Sequence, residues 1–164
     1  MNTPEITDAI TETIYRDYNG GYFKTLISPE TTGGAFALIE MVLPEGSEPP
    51  MHVHTQEDET FYLLEGAMQF VIGDHQVDAQ PGEAIFAPRM VPHLFRITSA
   101  QARFITLITP GKLWEYFMEF STPNTGTLVV APLQGPPPAD MIAHMITRIQ
   151  TGYGISFHQP AAAN

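Results

Sequence analysis

The 164-residue chain predicts an all-β fold, a sandwich or closed barrel followed by one or two helices, and three observations carry that expectation. Short apolar or alternating runs recur at close spacing, and most are bounded by glycine or proline, of which the chain has 13 and 15. Hydrophobic residues make up 43% and charged residues 15%, a balance that suits packed sheets with many turns better than a disordered chain or a helical bundle. One run, Gly73-Asp74 between Ala67–Ile72 and His75–Ala79, reads as a two-residue hairpin turn with Gly at positive φ. The length accommodates one domain, expected over 1–164 with a barrel core at about 22–109 and a helical extension at about 110–164.

Taken in order, residues 1–18 are ambiguous, because Ile6, Ile10 and Ile14 fit both a helical stripe and one parity of a strand. Asn19-Gly20-Gly21 is a turn, and Tyr22–Ile27 a short strand. Ala35–Leu43 is apolar enough for a strand buried on both faces, ended by Pro44-Glu45-Gly46. Met51–Thr55, the acidic turn Gln56-Glu57-Asp58, and Glu59–Leu64 read as strand, turn, strand. After the hairpin come Ala84–Ala87, the interruption Pro88–Pro92, His93–Thr98 and Arg103–Thr109. Beyond Pro110-Gly111, Leu113, Trp114, Phe117 and Met118 share one helical face, while residues 121–138 form a proline-rich connector. A second helix is expected from about Pro138 to Gln150, with Asp140 in its first turn, Arg148 in its last and Gly152 as a cap.

Composition removes several function classes. The net charge of −11 and only seven Lys and Arg disfavour binding to a phosphate backbone, so no nucleic acid partner is expected. With no cysteine, disulfides and thiolate metal sites are impossible, and a metal must take nitrogen and oxygen ligands. No apolar run approaches the ~20 residues of a membrane span, and MNTPEITDAI lacks the basic and apolar regions of a signal peptide. A soluble cytoplasmic protein is the expectation.

The chemistry concentrates in GSEPPMHVHTQEDETFYLLEG, residues 46–66. Alternate residues of a strand share a face, so His52 and His54 can aim at one point, and Glu59 returns to it if the acidic turn folds its strand back. Glu59 shares parity with Phe61 and Leu63. Downstream, His93 offers a third imidazole and shares parity with Phe95 and Ile97. Phe61, Leu63, Phe95 and Ile97 are therefore the expected walls of an apolar substrate pocket around a polar focus. Three imidazoles and a carboxylate suit one divalent transition metal, Fe, Mn, Co, Ni, Cu or Zn. Asp58 is the competing carboxylate, less favoured because Glu59 has the parity of Phe61.

These residues resemble the cupin family. Its first motif reads G, five residues, HxH, three or four residues, E, six residues, G, and Gly46, His52, His54, Glu59 and Gly66 meet every spacing. Its second reads G, five residues, PxG, two residues, H, three residues, N. Gly82, Pro88 and His93 match it, while Met90 and Ile97 stand in place of the Gly and Asn. The resemblance covers about residues 35–109 and implies a double-stranded β-helix, the cupin jelly-roll barrel, with metal ligands His52, His54, Glu59 and His93. The run HVHTQEDETFYLLEG, followed by C-terminal helices, resembles the quercetinase-like dioxygenases of bacteria. That likeness implies Glu59 as ligand and base toward an enol or flavonol hydroxyl, and a homodimer. The alternatives are a metal-assisted isomerase or lyase using the same glutamate, and a non-catalytic small-molecule-binding cupin.

Other polar residues have plainer readings. His75, His144 and His158 are expected to be solvated, Arg89 to form a surface salt bridge, and Glu57 and Asp58 to form a solvated acidic turn. Trp114, Phe117 and Met118, like Met141, Met145 and Ile149, either dock a helix on the barrel or cover its mouth.

Overall fold

The computed structural model describes residues 14–157, and its strands form two sheets that share one hydrophobic core. The larger sheet is built from β1 (Tyr15–Tyr18), β2 (Gly21–Ile27), β3 (Ala37–Pro44), β5 (Asp58–Glu65), β8 (Ala84–Ala87), β10 (Gln101–Thr109) and β11 (Thr122–Pro123). Its order is β11-β1-β2-β3-β10-β5-β8. The smaller is built from β4 (His52–His54), β6 (Met68–Ile72), β7 (His75–Ala79), β9 (His93–Ile97) and β12 (Ile155–Phe157), in the order β12-β4-β9-β6-β7. All pairings are antiparallel among the described residues, and the architecture is that of the cupin jelly roll.

Alternation explains which side chains meet. Glu59, Phe61 and Leu63 of β5 point inward, as do Ala102, Phe104, Thr106 and Ile108 of β10, whereas Tyr62 is exposed. The two sheets interlock through aromatic rings: Phe61 lies 5.1 Å from Phe70, and Phe95 5.7 Å from both Phe61 and Phe104. Strand β3 is buried along nearly its whole length, as its apolar run requires. The β6–β7 hairpin turns at Gly73, φ +57°.

After a 3-10 turn at Gly111–Leu113, helix α1 (Trp114–Glu119) docks on the barrel through Leu113 and Tyr116, and the Trp114 indole donates to Thr25 Oγ1 at 2.8 Å. Helix α2 spans Ala139–Tyr153, three residues beyond the expected end. The extra turn carries Tyr153 into the core, so the left-handed cap falls at Gly154, φ +65°, and not at Gly152. Arg148 consequently lies outside the last turn. Its guanidinium instead forks onto the Glu119 carboxylate at 2.7–3.0 Å and ties the two helices together. The described end of the ambiguous segment 1–18 is a strand, β1, whereas β11 and β12 fall where no strand is expected; Ile6, Ile10 and His158 lie outside the described residues. No helix among the described residues is long and apolar enough to cross a membrane.

Candidate metal centre

Four side chains from three strands converge between the sheets. In β4, the period of two sends His52 and His54 to the same side. Strand β9 pairs with β4 so that His93 lies directly opposite His52, their rings 4.6 Å apart. Glu59 comes from β5 in the other sheet, and its Oε2 stands 3.4 Å from both His54 Nε2 and His93 Nε2. One potential donor atom from each of the four lies within 4.8 Å of the other three, and all four residues are buried. Asp58 points elsewhere: it accepts bonds from the Arg89 side chain at 2.7 and 3.1 Å and from the Arg89 backbone N–H at 2.8 Å. Arg89 is thus the expected surface salt bridge.

Tautomers follow from the acceptors. His52 Nδ1 lies 2.8 Å from the Pro50 carbonyl and His93 Nδ1 3.0 Å from that of Val91. A carbonyl can only accept, so each Nδ1–H donates there and each Nε2 is the nitrogen left for the cluster; that of His93 lies within hydrogen-bond range of Glu59 Oε2, at 3.4 Å. Burial pushes the His52 imidazole down to about 4, helped by the neighbouring His93 and His54 rings, so it stays neutral at neutral pH. Burial alone would raise the Glu59 carboxyl, but His54, His93 and His52 together outweigh it and hold the group near 2. His54 moves the other way: burial lowers it, and the carboxylates of Glu59 and Glu57 raise it further than burial lowers it. Both His54 nitrogens are buried without a hydrogen-bond partner among the described residues. One nitrogen from each of the three imidazoles and one oxygen of the ionised carboxylate form a three-nitrogen, one-oxygen donor set, which fits a divalent transition metal.

The cluster opens into a cavity of about 670 Å³ with mostly apolar walls. Phe61, Phe95 and Phe104 line it near the site, Met41 and Leu43 at the side, and α2 roofs it with Ile142, Met145, Ile146 and Ile149. The C-terminal helix therefore covers the barrel mouth, whereas Met141 is half exposed. Of the four expected wall residues, Phe61 and Phe95 reach the cavity; Leu63 and Ile97 are buried in the core behind it. Tyr18 also lines the cavity, its phenol raised above the ordinary range by burial and by Tyr116 and Glu59, and hence neutral.

His75 and His144 are exposed, as expected. Glu57 is the correction. It is not solvated but fully buried, with Oε2 3.7 Å from His54 Nδ1. Its signal in the sequence was only its position, three residues after His54 and two before Glu59.

The family model described as "Cupin domain" matches residues 39–108, the stretch holding all four converging side chains. Over 103 residues the chain is 25% identical to quercetin 2,3-dioxygenase of Bacillus subtilis, covering 63% of this chain and 31% of that enzyme, so it spans about a third of the relative's length. Among solved structures it is similar to a Thermotoga maritima protein described as a predicted oxalate decarboxylase, with 26% identity and TM-score 0.51, covering 60% of this chain and 92% of that one. An RmlC-like cupin from Shewanella frigidimarina, 17% identical, shares the fold at TM-score 0.53, covering 62% and 86%.

Proposed function

Because residues 39–108 match the cupin domain, we propose that this chain is a mononuclear metal-dependent dioxygenase acting on a small, largely apolar, enolisable or flavonol-like aromatic compound. The observation that carries this reading is the ionised Glu59 among three imidazoles at the end of an aromatic-walled cavity. Held by His52, His54, Glu59 and His93, a divalent metal would supply a Lewis acid for a substrate oxyanion and a place for dioxygen to react.

The chain's own residues account for the rest. Glu59 is ionised at neutral pH and accepts the substrate's hydroxyl proton. A carboxylate is a weak base and takes a proton most readily from a hydroxyl that is itself acidic, which favours enols and flavonol-type hydroxyls over alcohols. Phe61, Phe95 and Phe104 give a flat substrate aromatic partners, and the apolar side chains of α2 extend those walls. Oxalate, a small dianion, has no use for such walls. The exposed Tyr62 and Phe86, on the paired strands β5 and β8, support a homodimer.

The test is metal content of untagged protein, then oxygen uptake with quercetin after reconstitution with Fe, Mn, Co, Ni and Cu. About one metal per chain with uptake is the expected result. One metal without uptake for quercetin or simpler enols, at every metal, would sink the dioxygenase reading in favour of an isomerase, a lyase or a binding protein.

A further inference from the structure

The outer nitrogens of the three imidazoles are not treated alike. His52 and His93 each donate Nδ1–H to a backbone carbonyl, at 2.8 and 3.0 Å. No carbonyl serves His54. Its Nδ1 faces Glu57 Oε2 at 3.7 Å, and neither nitrogen of His54 nor either carboxyl oxygen of Glu57 has a hydrogen-bond partner among the described residues. Glu57 is completely buried and His54 nearly so.

Leaving a carboxyl group and an imidazole side by side in the interior with every polar atom unmet is costly, and an apolar residue would fill the same space without that cost. The separation of 3.7 Å exceeds a good N–H···O hydrogen bond by about 0.5 Å, and the role proposed below requires that gap to close. Glu57 also lies in the short segment between two of the metal-ligand candidates, so the chain that places His54 and Glu59 places it as well.

We propose that Glu57 is a positioning residue for the metal centre, accepting the His54 Nδ1 proton so that Nε2 is presented to the metal and His54 becomes the most electron-donating of the three imidazoles. The inference rests on the metal-binding part of the reading above and not on its substrate. A carboxylate draws the Nδ1 proton more strongly than a carbonyl does, which fixes both the tautomer and the ring plane and raises the basicity of the ligating nitrogen. The centre is then asymmetric, with two imidazoles held by carbonyls and one by a carboxylate.

The test uses full-length, metal-free protein titrated with Co²⁺ alone, comparing the unsubstituted chain with Glu57→Gln. We expect the variant to bind Co²⁺ about 10- to 100-fold more weakly, with displaced visible ligand-field bands. Thermal unfolding of the metal-free variant should be no lower than that of the unsubstituted protein, since a buried unpaired acid has been removed. Equal affinity together with an identical Co²⁺ spectrum would overturn the role. A second measurement needs no variant: in the Zn²⁺-loaded protein, the His54 Nδ1–H proton resonance should lie downfield of those of His52 and His93. A His54 resonance matching the two carbonyl-bonded rings would also overturn it. No Co²⁺ binding by the unsubstituted protein would instead remove the metal reading itself, and this role with it.

Discussion

The backbone N–H of Met90 donates to the carbonyl of His54 at 2.8 Å, and Met90 makes that bond with φ at +65°. The loop before His93 is thereby fastened to the strand that carries the other two imidazoles. Left-handed backbone suits glycine and disfavours a side chain, and Met90 occupies the position where the second cupin motif has Gly. Its side chain is exposed and supports nothing in the core. Met90→Gly should therefore stabilise the protein by about 1 kcal/mol, read from chemical denaturation, with metal content unchanged. A loss of stability would mean that the left-handed conformation is not kept in solution.

His54→Ala and His93→Ala should each reduce metal affinity by more than about 100-fold, beyond what loss of a supporting partner costs. Glu59→Gln should retain measurable binding through the three imidazoles while losing the base. Metal analysis of the three purified variants checks this. Full metal content in both histidine variants would refute the site.

Asp58 is held down at about 2 by the hydrogen bonds and charge of Arg89, against an ordinary value of 3.8. A depressed carboxylate contributes stability that is fully present above its unfolded pKa and disappears as pH falls through the folded one. The urea midpoint of Arg89→Ala should accordingly fall below that of the unsubstituted protein at pH 7, and the gap should close between about pH 4 and pH 2. A gap that persists undiminished at pH 2 would assign the effect to packing. Both groups are partly solvated, so the expected difference is small.

Thr106 lines the cavity with its Oγ1 buried and without a hydrogen-bond partner among the described residues. Valine has nearly the same shape and no hydroxyl. Thr106→Val should raise stability by about 1 kcal/mol in the ligand-free protein, measured by denaturation. If stability falls, the hydroxyl has a partner in solution, and a bound water would be the first place to look.

Much of the barrel was legible because strand alternation is a local property. The runs at Tyr22–Ile27, Ala84–Ala87 and Arg103–Thr109 appear as strands with ends shifted by at most two residues. The convergence of His52, His54, Glu59 and His93 was legible for another reason: two histidines two residues apart on a strand, with the third and fourth members at fixed distances, leave a pattern that needs no tertiary information. What escaped depends on tertiary contact. Ile155–Phe157 has no periodicity of its own and becomes a strand only because β4 offers it an edge. Glu57 sits in an acidic run that reads as solvated, and only the packing of the chain around it takes its carboxyl out of water. The end of α2 was misjudged because two glycines compete for the cap, and burial of Tyr153 decides between them.

Strand β12 has Ile155 opposite His54 and Phe157 opposite His52. The peptide that roofs the cavity thus continues, through Gly154, into a direct neighbour of two metal-ligand candidates. Residues 139–153 and residues 155–157 are therefore subject to different rules of variation. The helix can exchange one apolar side chain for another and so reshape the cavity, while the three residues after it share the tolerances of the strand that carries His52 and His54. An engineer seeking new selectivity would redesign the roof and stop at Gly154.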